Sequence, residues 1–295
     1  MDANVFKSGF FHNESQAYEF METLRWPNGP VCVHCKHTEK IYRYKPTRTG
    51  RRVLKCGHCR KQFTVTLGTI FEDSHLPLTK WMGAYHLLCA SKKGMSAHQL
   101  HRMLGITYKS AWFMAHRIRH SMKQNPYTEK LDGIVEADET YIGGMGHGKQ
   151  GSKAHKKAVF TLLQRGGKVR SFHMVAPVTG KNLKAIIREN VSPDAQIMTN
   201  SHHGYHGLGK EFASHETVNH AAREYAREKA HVYTAEGYFS LLKRGINGTF
   251  HHASKQHLHR YLSEFDFRYN ARKATDDERT VLAVRQVDGK RLQYR

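Results

Sequence analysis

Between residues 77 and 123 apolar residues recur at three- and four-residue intervals, the spacing of one helix face. PLTKWMGAYHLLCA (77–90), SAHQLHRMLG (96–105) and TYKSAWFMAHRIRHSMK (107–123) read as three successive helices. Ser96 has the chemistry of a cap and Gly105 that of a stop. Asn125-Pro126 breaks the pattern and marks a boundary. From residue 131 the pattern becomes that of strands. GIVEADETYI (133–142) is the first, and KAVFTLLQR (157–165) and KVRSFHMVAPV (168–178) flank Gly166-Gly167, a strong hairpin signal. TGKNLKAIIRENV (179–191) predicts a helix capped by Thr179, AQIMTN (195–200) a short apolar strand, and ETVNH (216–220) another. TAEGYFSLLKRGI (234–246) and SKQHLHRYLSEFDFRYNAR (254–272) predict two further helices. The strand–helix–strand crossover after one antiparallel hairpin predicts a mixed sheet. The segment ATDDERTVLAVRQVDGKRLQYR (274–295) is charged and says little.

Charge narrows the class of partner. The 295 residues carry 47 Lys+Arg against 25 Asp+Glu, a net charge of +22, with a pI near 9.9. An excess this large fits a polyanion, most often nucleic acid. A mean hydropathy of −0.66 and the lack of a long apolar run argue for a soluble protein without a membrane span. The start, MDANVFKSGFFHNESQ, lacks the basic-then-apolar pattern of a secretory signal, so a cytosolic location is expected.

Four of the five cysteines fall in two C-x-x-C pairs, Cys32/Cys35 and Cys56/Cys59, with twenty residues between them. That is zinc-site spacing: each pair curls around one ion and two pairs complete a tetrahedron of thiolates. Disulfides are disfavoured in a cytosolic chain, and the βαβ pattern around a redox dithiol is missing. Gly57 is expected to permit the tight backbone of its knuckle. His34 and His58 lie inside the knuckles, where four thiols already complete the site. One structural Zn²⁺ per chain is expected, holding the small domain folded. Cys89, in an apolar run, reads as a core residue.

The helices at 96–105 and 107–123 have the order of a DNA-reading helix-turn-helix, with the turn at Gly105, Ile106 and Thr107. Thr107, Tyr108, Lys109 and Ser110 then stand where base edges are reached. Arg117, Arg119 and His120 are expected to meet phosphate. The alternative is an ordinary helical hairpin packed through Trp112, Phe113 and Ile118.

Three polar positions suggest phosphoryl-transfer chemistry. Asp138 sits mid-strand in an apolar setting, an expensive place unless it binds something. Glu136, Asp138 and Thr140 share one strand face and Glu139 takes the other. Asn200 ends a second apolar strand. Glu236 falls in the first turn of a helix, with Lys243 two turns along the same face. Two strand ends and a helix face can converge on two divalent ions, which Mg²⁺-type chemistry requires. Each acid taken singly also reads as a solvated surface charge.

Over nearly its whole length, from CVHC to YNAR, the chain resembles insertion-sequence transposases with an amino-terminal zinc ribbon, a group related to the eukaryotic Merlin elements. VEADETYIGG, SHHGY, TAEGYFSLLKRGINGTFHH and HLHRYLSEFDFRYN carry the resemblance. It implies a DDE transposase with a ribonuclease H-like α/β catalytic domain, in a multidomain α+β chain. The expected layout is a zinc ribbon at 1–70, a helix-turn-helix at 71–130, the catalytic domain at 131–275 and a carboxy-terminal tail at 276–295. Asp138 would be the first acid, Glu236 the third, and Lys243 a basic residue meeting DNA. Two Mg²⁺ or Mn²⁺ ions would be held by Asp138, Glu236 and position 200. The partners implied are double-stranded DNA, as terminal inverted repeats and target, and at least one further copy of the chain, in a bacterial cytoplasm at the nucleoid. His202, His203, Lys243 and Arg244 would contact DNA near the acids, and the basic glycine-rich segment 143–157 either closes over it or is a plain solvated loop.

The pattern wants Asp at position 200, and this chain has Asn. An amide is a neutral, weaker ligand, so a metal position is weakened or lost and catalysis is impaired. A deliberate replacement and a natural degeneration both remain open, the intact surroundings favouring the first. Asp194, in the turn sequence SPDA, is no substitute. Tyr233 stands where the pattern has Asn. A non-catalytic DNA-binding protein derived from a transposase is the alternative reading. A general nuclease would not need the ribbon and the paired helices.

Overall fold

The computed structural model describes residues 8–124, 129–143, 156–219, 226–227 and 230–293. The chain forms two compact units, one of residues 1–122 with 274–295 and one of residues 123–273.

In the first unit α1 (Glu14–Arg25) is capped by Asn13, whose side chain accepts from Gln16 N. A small antiparallel sheet follows, of β1 (Ile41–Arg43), β2 (Leu54–Cys56) and β3 (Gln62–Phe63) in that order. Leu54, Cys56 and Phe63 are buried on its inner side. Then come α2 (Leu78–Ala90), α3 (Ala97–Leu104) and α4 (Tyr108–Ser121). The Ser96 hydroxyl caps α3, and Gly105 closes it in the left-handed conformation, φ 62°.

The second unit is built on a five-stranded mixed sheet. Its strands are β4 (Ile134–Ile142), β5 (Lys157–Gln164), β6 (Val169–His173), β7 (Gln196–Asn200) and β8 (Ser214–Val218), in the spatial order β6-β5-β4-β7-β8. β4, β5 and β6 are antiparallel neighbours; β7 runs parallel to β4, and β8 parallel to β7. The crossover from β6 to β7 is made by α5 (Gly180–Asn190), capped by Thr179 as expected. Strand alternation sends Val135, Ala137, Phe160 and Leu162 to the α5 side, against Leu183, Ile187 and Tyr205. Val159, Leu163 and Val169 face the other way, onto α6 (Tyr233–Gly245) and α7 (Leu258–Asn270) through Tyr238, Leu242, Leu262 and Phe265. The sheet is thus covered by helices on both faces, which explains the nearly continuous apolar run of KAVFTLL. The helices are tied to the sheet by a buried polar knot. Asp266 of α7 accepts from Ser171 N (2.8 Å), Ser171 Oγ (2.8 Å) and Tyr238 Oη (2.5 Å).

The segment expected as a tail is folded. Residues Asp276–Arg285 form α8, opened by a capping box of Thr275 and Glu278. α8 lies on α2, where Arg279 donates to the Cys89 carbonyl (2.9 Å) and Ala283 and Val284 are fully buried. Charge on its outer face hid a helix whose apolar stripe is short. Among the described residues no helix is long and apolar enough to cross a membrane.

Candidate active site and metal centre

The four paired cysteines converge. Cys32 Sγ lies 3.7 Å from Cys59 Sγ and Cys35 Sγ 3.6 Å from Cys56 Sγ, with all four sulfurs within 4.8 Å of one another. A tetrahedron with metal–sulfur bonds of about 2.3 Å has edges of about 3.8 Å, so the set fits zinc. Both knuckles bend through a left-handed residue after the second cysteine, Lys36 at φ 64° and Arg60 at φ 60°. Gly57 therefore has a different role from the one expected. Its φ is ordinary, but a Cβ there would sit 3.0 Å from Lys40 and from the Tyr42 ring, so the glycine serves close approach. His34 turns to the Gln62 carbonyl, and His58 stacks on His37 outside the thiolate set.

The helical pair α3–α4 leaves its polar start exposed. Thr107 caps α4 by accepting from Ser110 N (3.2 Å), and Tyr108 and Lys109 are exposed beside it. Arg117 and Arg119 correct the expectation that both meet phosphate. The Arg117 guanidinium donates to the carbonyls of Ile70 (3.0 Å), Glu72 (3.1 Å) and Leu292 (3.1 Å), and Arg119 is 2% exposed. They sit on the packed side of α4, where the guanidinium of Arg117 ties neighbouring backbone together.

The parallel pairing of β4 and β7 sets Ala137 opposite Thr199 and brings the next residues, Asp138 and Asn200, side by side. Asn200 Nδ2 donates to Asp138 Oδ1 at 3.0 Å. The other end of the amide is spoken for, because His202 N donates to Asn200 Oδ1 at 3.0 Å. A backbone N–H can only donate, so this bond fixes which end of the amide faces Asp138. Asp138 is 7% exposed, and burial raises its carboxyl to about 7. The charges of Glu139 and Glu236 add to that rise, while the Glu139 N–H (2.8 Å) and the Asn200 amide oppose it. Glu236 lies exposed in the first turn of α6, with Lys243 and Arg244 exposed in its last turn.

Glu139 takes the α5 side of the strand. Burial raises its carboxyl, opposed by Tyr205, His202 and Asn200. The Tyr205 hydroxyl, fully buried beside it, makes no hydrogen bond of ordinary geometry among the described residues. His202 and His203 are exposed in the turn after β7, which comes close enough to α5 that a side chain at Gly180 would meet the Gly204 carbonyl at 2.8 Å. Asp194 is exposed in its turn, away from these groups. Of the segment 143–157, residues 144–155 lie outside the described residues.

In sequence Glu136 is a strand-face neighbour of Asp138. In the structure it is 0% exposed and holds the start of α6. Its Oε2 accepts from Ala235 N (2.8 Å), and its Oε1 from Thr234 Oγ1 (2.9 Å) and Arg165 Nε (2.6 Å). His231 Nδ1 lies 3.3 Å from Oε1, close enough for an ion pair though not aligned as a hydrogen bond. Val232, at the capping position, offers no side-chain cap. A strand carboxylate two residues before Asp138 thus caps the helix that carries Glu236. This also accounts for Tyr233: the helix is entered under Glu136's control, and the exposed Tyr233 ring stacks on His231. The sequence hides this role, because Thr234 is itself a cap-type residue at the expected helix start.

Comparison with known proteins places these parts. Residues 12–62 match the transposase zinc-ribbon domain and residues 130–270 the ISXO2-like transposase domain. A protein of the transposable element ISH50 of Halobacterium salinarum is 27% identical over 276 residues, 88% of this chain and 91% of that protein. A transposase-like protein of Haemophilus influenzae is 29% identical over 104 residues, 35% of this chain and 83% of its own length. The crystal structure of a pre-cleavage Mos1 transpososome aligns at a TM-score of 0.21 and 13% identity, over 66% of this chain and 78% of the other. With the thiolate set in one match and the strands bearing Asp138 and Asn200 in the other, the chain carries a transposase zinc-ribbon domain followed by an ISXO2-like transposase domain.

Proposed function

We propose that the chain is a DDE-type DNA transposase whose catalysis is impaired by Asn200. Its active counterpart would bind element terminal repeats, cleave at the ends, and join the freed 3′-hydroxyls to target DNA by in-line displacement at phosphorus. The observation that carries this reading is the meeting of Asp138 and Asn200 across adjacent parallel strands at 3.0 Å. The strand order, with three antiparallel strands followed by two parallel ones, supports a ribonuclease H-like catalytic domain. In this reading α3–α4 is a helix-turn-helix presenting Thr107, Tyr108, Lys109 and Ser110 to base edges. Lys243, Arg244, His202 and His203 meet phosphates near the acids. Pairing two element ends calls for at least a dimer, acting at the nucleoid of a bacterial cytoplasm.

The impairment follows from the direction of the amide. Asp138 and Glu236 offer hard oxygens suited to Mg²⁺ or Mn²⁺. Asn200 offers its donor end, with its oxygen held by His202 N. An NH₂ group stands where a cation's ligand is needed, so the residues present do not fit two divalent ions. The second reading, a non-catalytic DNA-binding protein, is favoured by the same closed network, because the amide is satisfied without any ion.

The test is Asn200→Asp, scored as strand transfer of a labelled element end into plasmid DNA in Mg²⁺ or Mn²⁺. A gain of roughly 10²–10³ or more is expected, the scale of restoring one transition-state stabiliser. Asp138→Asn or Glu236→Gln should abolish the gain, since groups acting as a unit are not additive. No activity with DNA binding intact selects the non-catalytic reading. Full activity of the Asn200 form refutes the impairment.

A further inference from the structure

We propose that the outer face of the ribbon sheet, built on Tyr42, Tyr44 and Lys55, is a stacking platform for unpaired DNA bases. The proposal rests on the DNA-binding reading above and adds a second contact surface to it.

Three observations carry it. First, β1 alternates. Arg43, its own side chain half exposed, ion-pairs with the buried Glu22 of α1 on the inner side of the sheet, which sends Tyr42 and Tyr44 to the opposite side. These two rings are 58% and 46% exposed, among the most exposed large apolar side chains of the described residues. Second, the same face continues across the sheet. Tyr42 pairs with Lys55, and Lys55 with the exposed Gln62, so an aromatic, a cation and an amide lie in one row. Tyr44 follows one step along, its N–H donating to the Val53 carbonyl at 3.1 Å. Tyr42 is braced as well, its ring lying against Gly57, where a Cβ would come within 3.0 Å. Third, the charge fits a polyanion. Between residues 36 and 62 there are ten lysines and arginines against a single glutamate, an excess that the two net negative charges of a zinc–tetrathiolate reduce without reversing.

Spacing selects the form of DNA. Residues two apart on a strand stand about 7 Å apart. Stacked bases in a duplex follow at about 3.4 Å. Two bases seated on the two rings are therefore unstacked from each other, a state open to single strands and frayed ends. Every base has a π-face, so the platform is indifferent to sequence, while Lys55 meets the backbone. Tyrosine suits the role because a rigid ring loses little freedom on contact.

The experiment uses the full chain and fluorescence anisotropy, with a short dye-labelled oligothymidylate and a duplex of an element end. Tyr42→Ala with Tyr44→Ala should weaken oligothymidylate binding by roughly tenfold or more per ring, at an unchanged salt slope. Tyr42→Phe with Tyr44→Phe should bind as the parent does. Lys55→Ala should lower the salt slope by about one. Retention of about one zinc per chain shows that each variant keeps its ribbon. Unchanged oligothymidylate binding in the double alanine variant, while Lys109→Ala weakens duplex binding, overturns the platform and leaves the transposase reading standing. A parent chain that binds duplex but no single strand overturns it equally. A parent that binds neither overturns both.

Discussion

Removing the Glu136 carboxylate should loosen the start of α6 and with it the setting of Glu236. Glu136 is fully buried and accepts from Arg165 Nε (2.6 Å), Thr234 Oγ1 (2.9 Å) and Ala235 N (2.8 Å). Glu136→Ala strands Arg165, itself only 18% exposed, without its carboxylate, and leaves the first turn of α6 uncapped. Breaking one side of a buried pair costs about 3–5 kcal/mol, and a lost cap accounts for about 1 kcal/mol of such a change. Glu136→Gln is milder but not neutral. One amide oxygen can serve two of the three donors, and the NH₂ must then face the third, at a cost of about 1–3 kcal/mol.

Hydrogen exchange of the α6 amides reads this locally, without requiring the two units to unfold together. Protection over residues 233–245 should fall by roughly a hundredfold in the alanine variant, the equivalent of about 3 kcal/mol, and by less in the glutamine variant. Amides of α5, on the opposite face of the sheet, should keep theirs. In an Asn200→Asp background the glutamine variant should also lose strand transfer while retaining duplex binding. Unchanged α6 protection in both variants would refute the capping role. Equal loss in α5 and α6 would show that Glu136 supports the whole unit and not the helix start.

Four sulfurs at tetrahedral spacing predict about one zinc per chain, and a chelator, or Cys56→Ser, should unfold the ribbon; a folded metal-free ribbon counts against it. Burial pushes the Asp266 carboxyl up to about 6, against the hydrogen bonds of Tyr238 and Ser171. A carboxyl raised on folding contributes stability that is complete below its unfolded value near 3.9 and lost as pH rises through 6, about 3 kcal/mol in all. Urea titrations between pH 4 and 7 should show a smaller decline with pH in Asp266→Asn than in the parent, and parallel curves would remove Asp266 as the source. Arg117→Ala should destabilise the first unit, by about 1–3 kcal/mol for the carbonyls left behind, and leave the salt slope of DNA binding unchanged. A lower slope would return Arg117 to the phosphate contacts.

The features legible in sequence are those whose cause is local. The cysteine spacing states its own geometry, because two residues of chain suffice to wrap a thiolate pair round an ion. Gly166-Gly167 fixes a hairpin at its own position, with Gly166 at φ 69°, and Ser96 and Thr179 cap helices that begin one residue later. Features that depend on distant partners are not legible. Arg117 looks like a phosphate contact until the carbonyls of Ile70, Glu72 and Leu292 surround it. Glu136 looks like a neighbour of Asp138 until Thr234 and Ala235 arrive from 98 and 99 residues away. α8 looks like a tail because the surface it covers, on α2, lies almost 190 residues earlier.

Asn200 belongs to both classes. Its place at the end of an apolar strand is local and legible. What the amide does there is not, because an amide can turn either its oxygen or its nitrogen to Asp138. The choice is made by His202 N, a donor two residues on that claims the oxygen. A carboxylate at the same place could accept from His202 N through one oxygen and still offer the other to a cation. In the proposed reading the change from Asp to Asn therefore removes more than one unit of charge: it exchanges the residue's second carboxylate oxygen for a donor. For that reason restoring Asp is the informative change, and adding a carboxylate elsewhere in the turn is not expected to replace it.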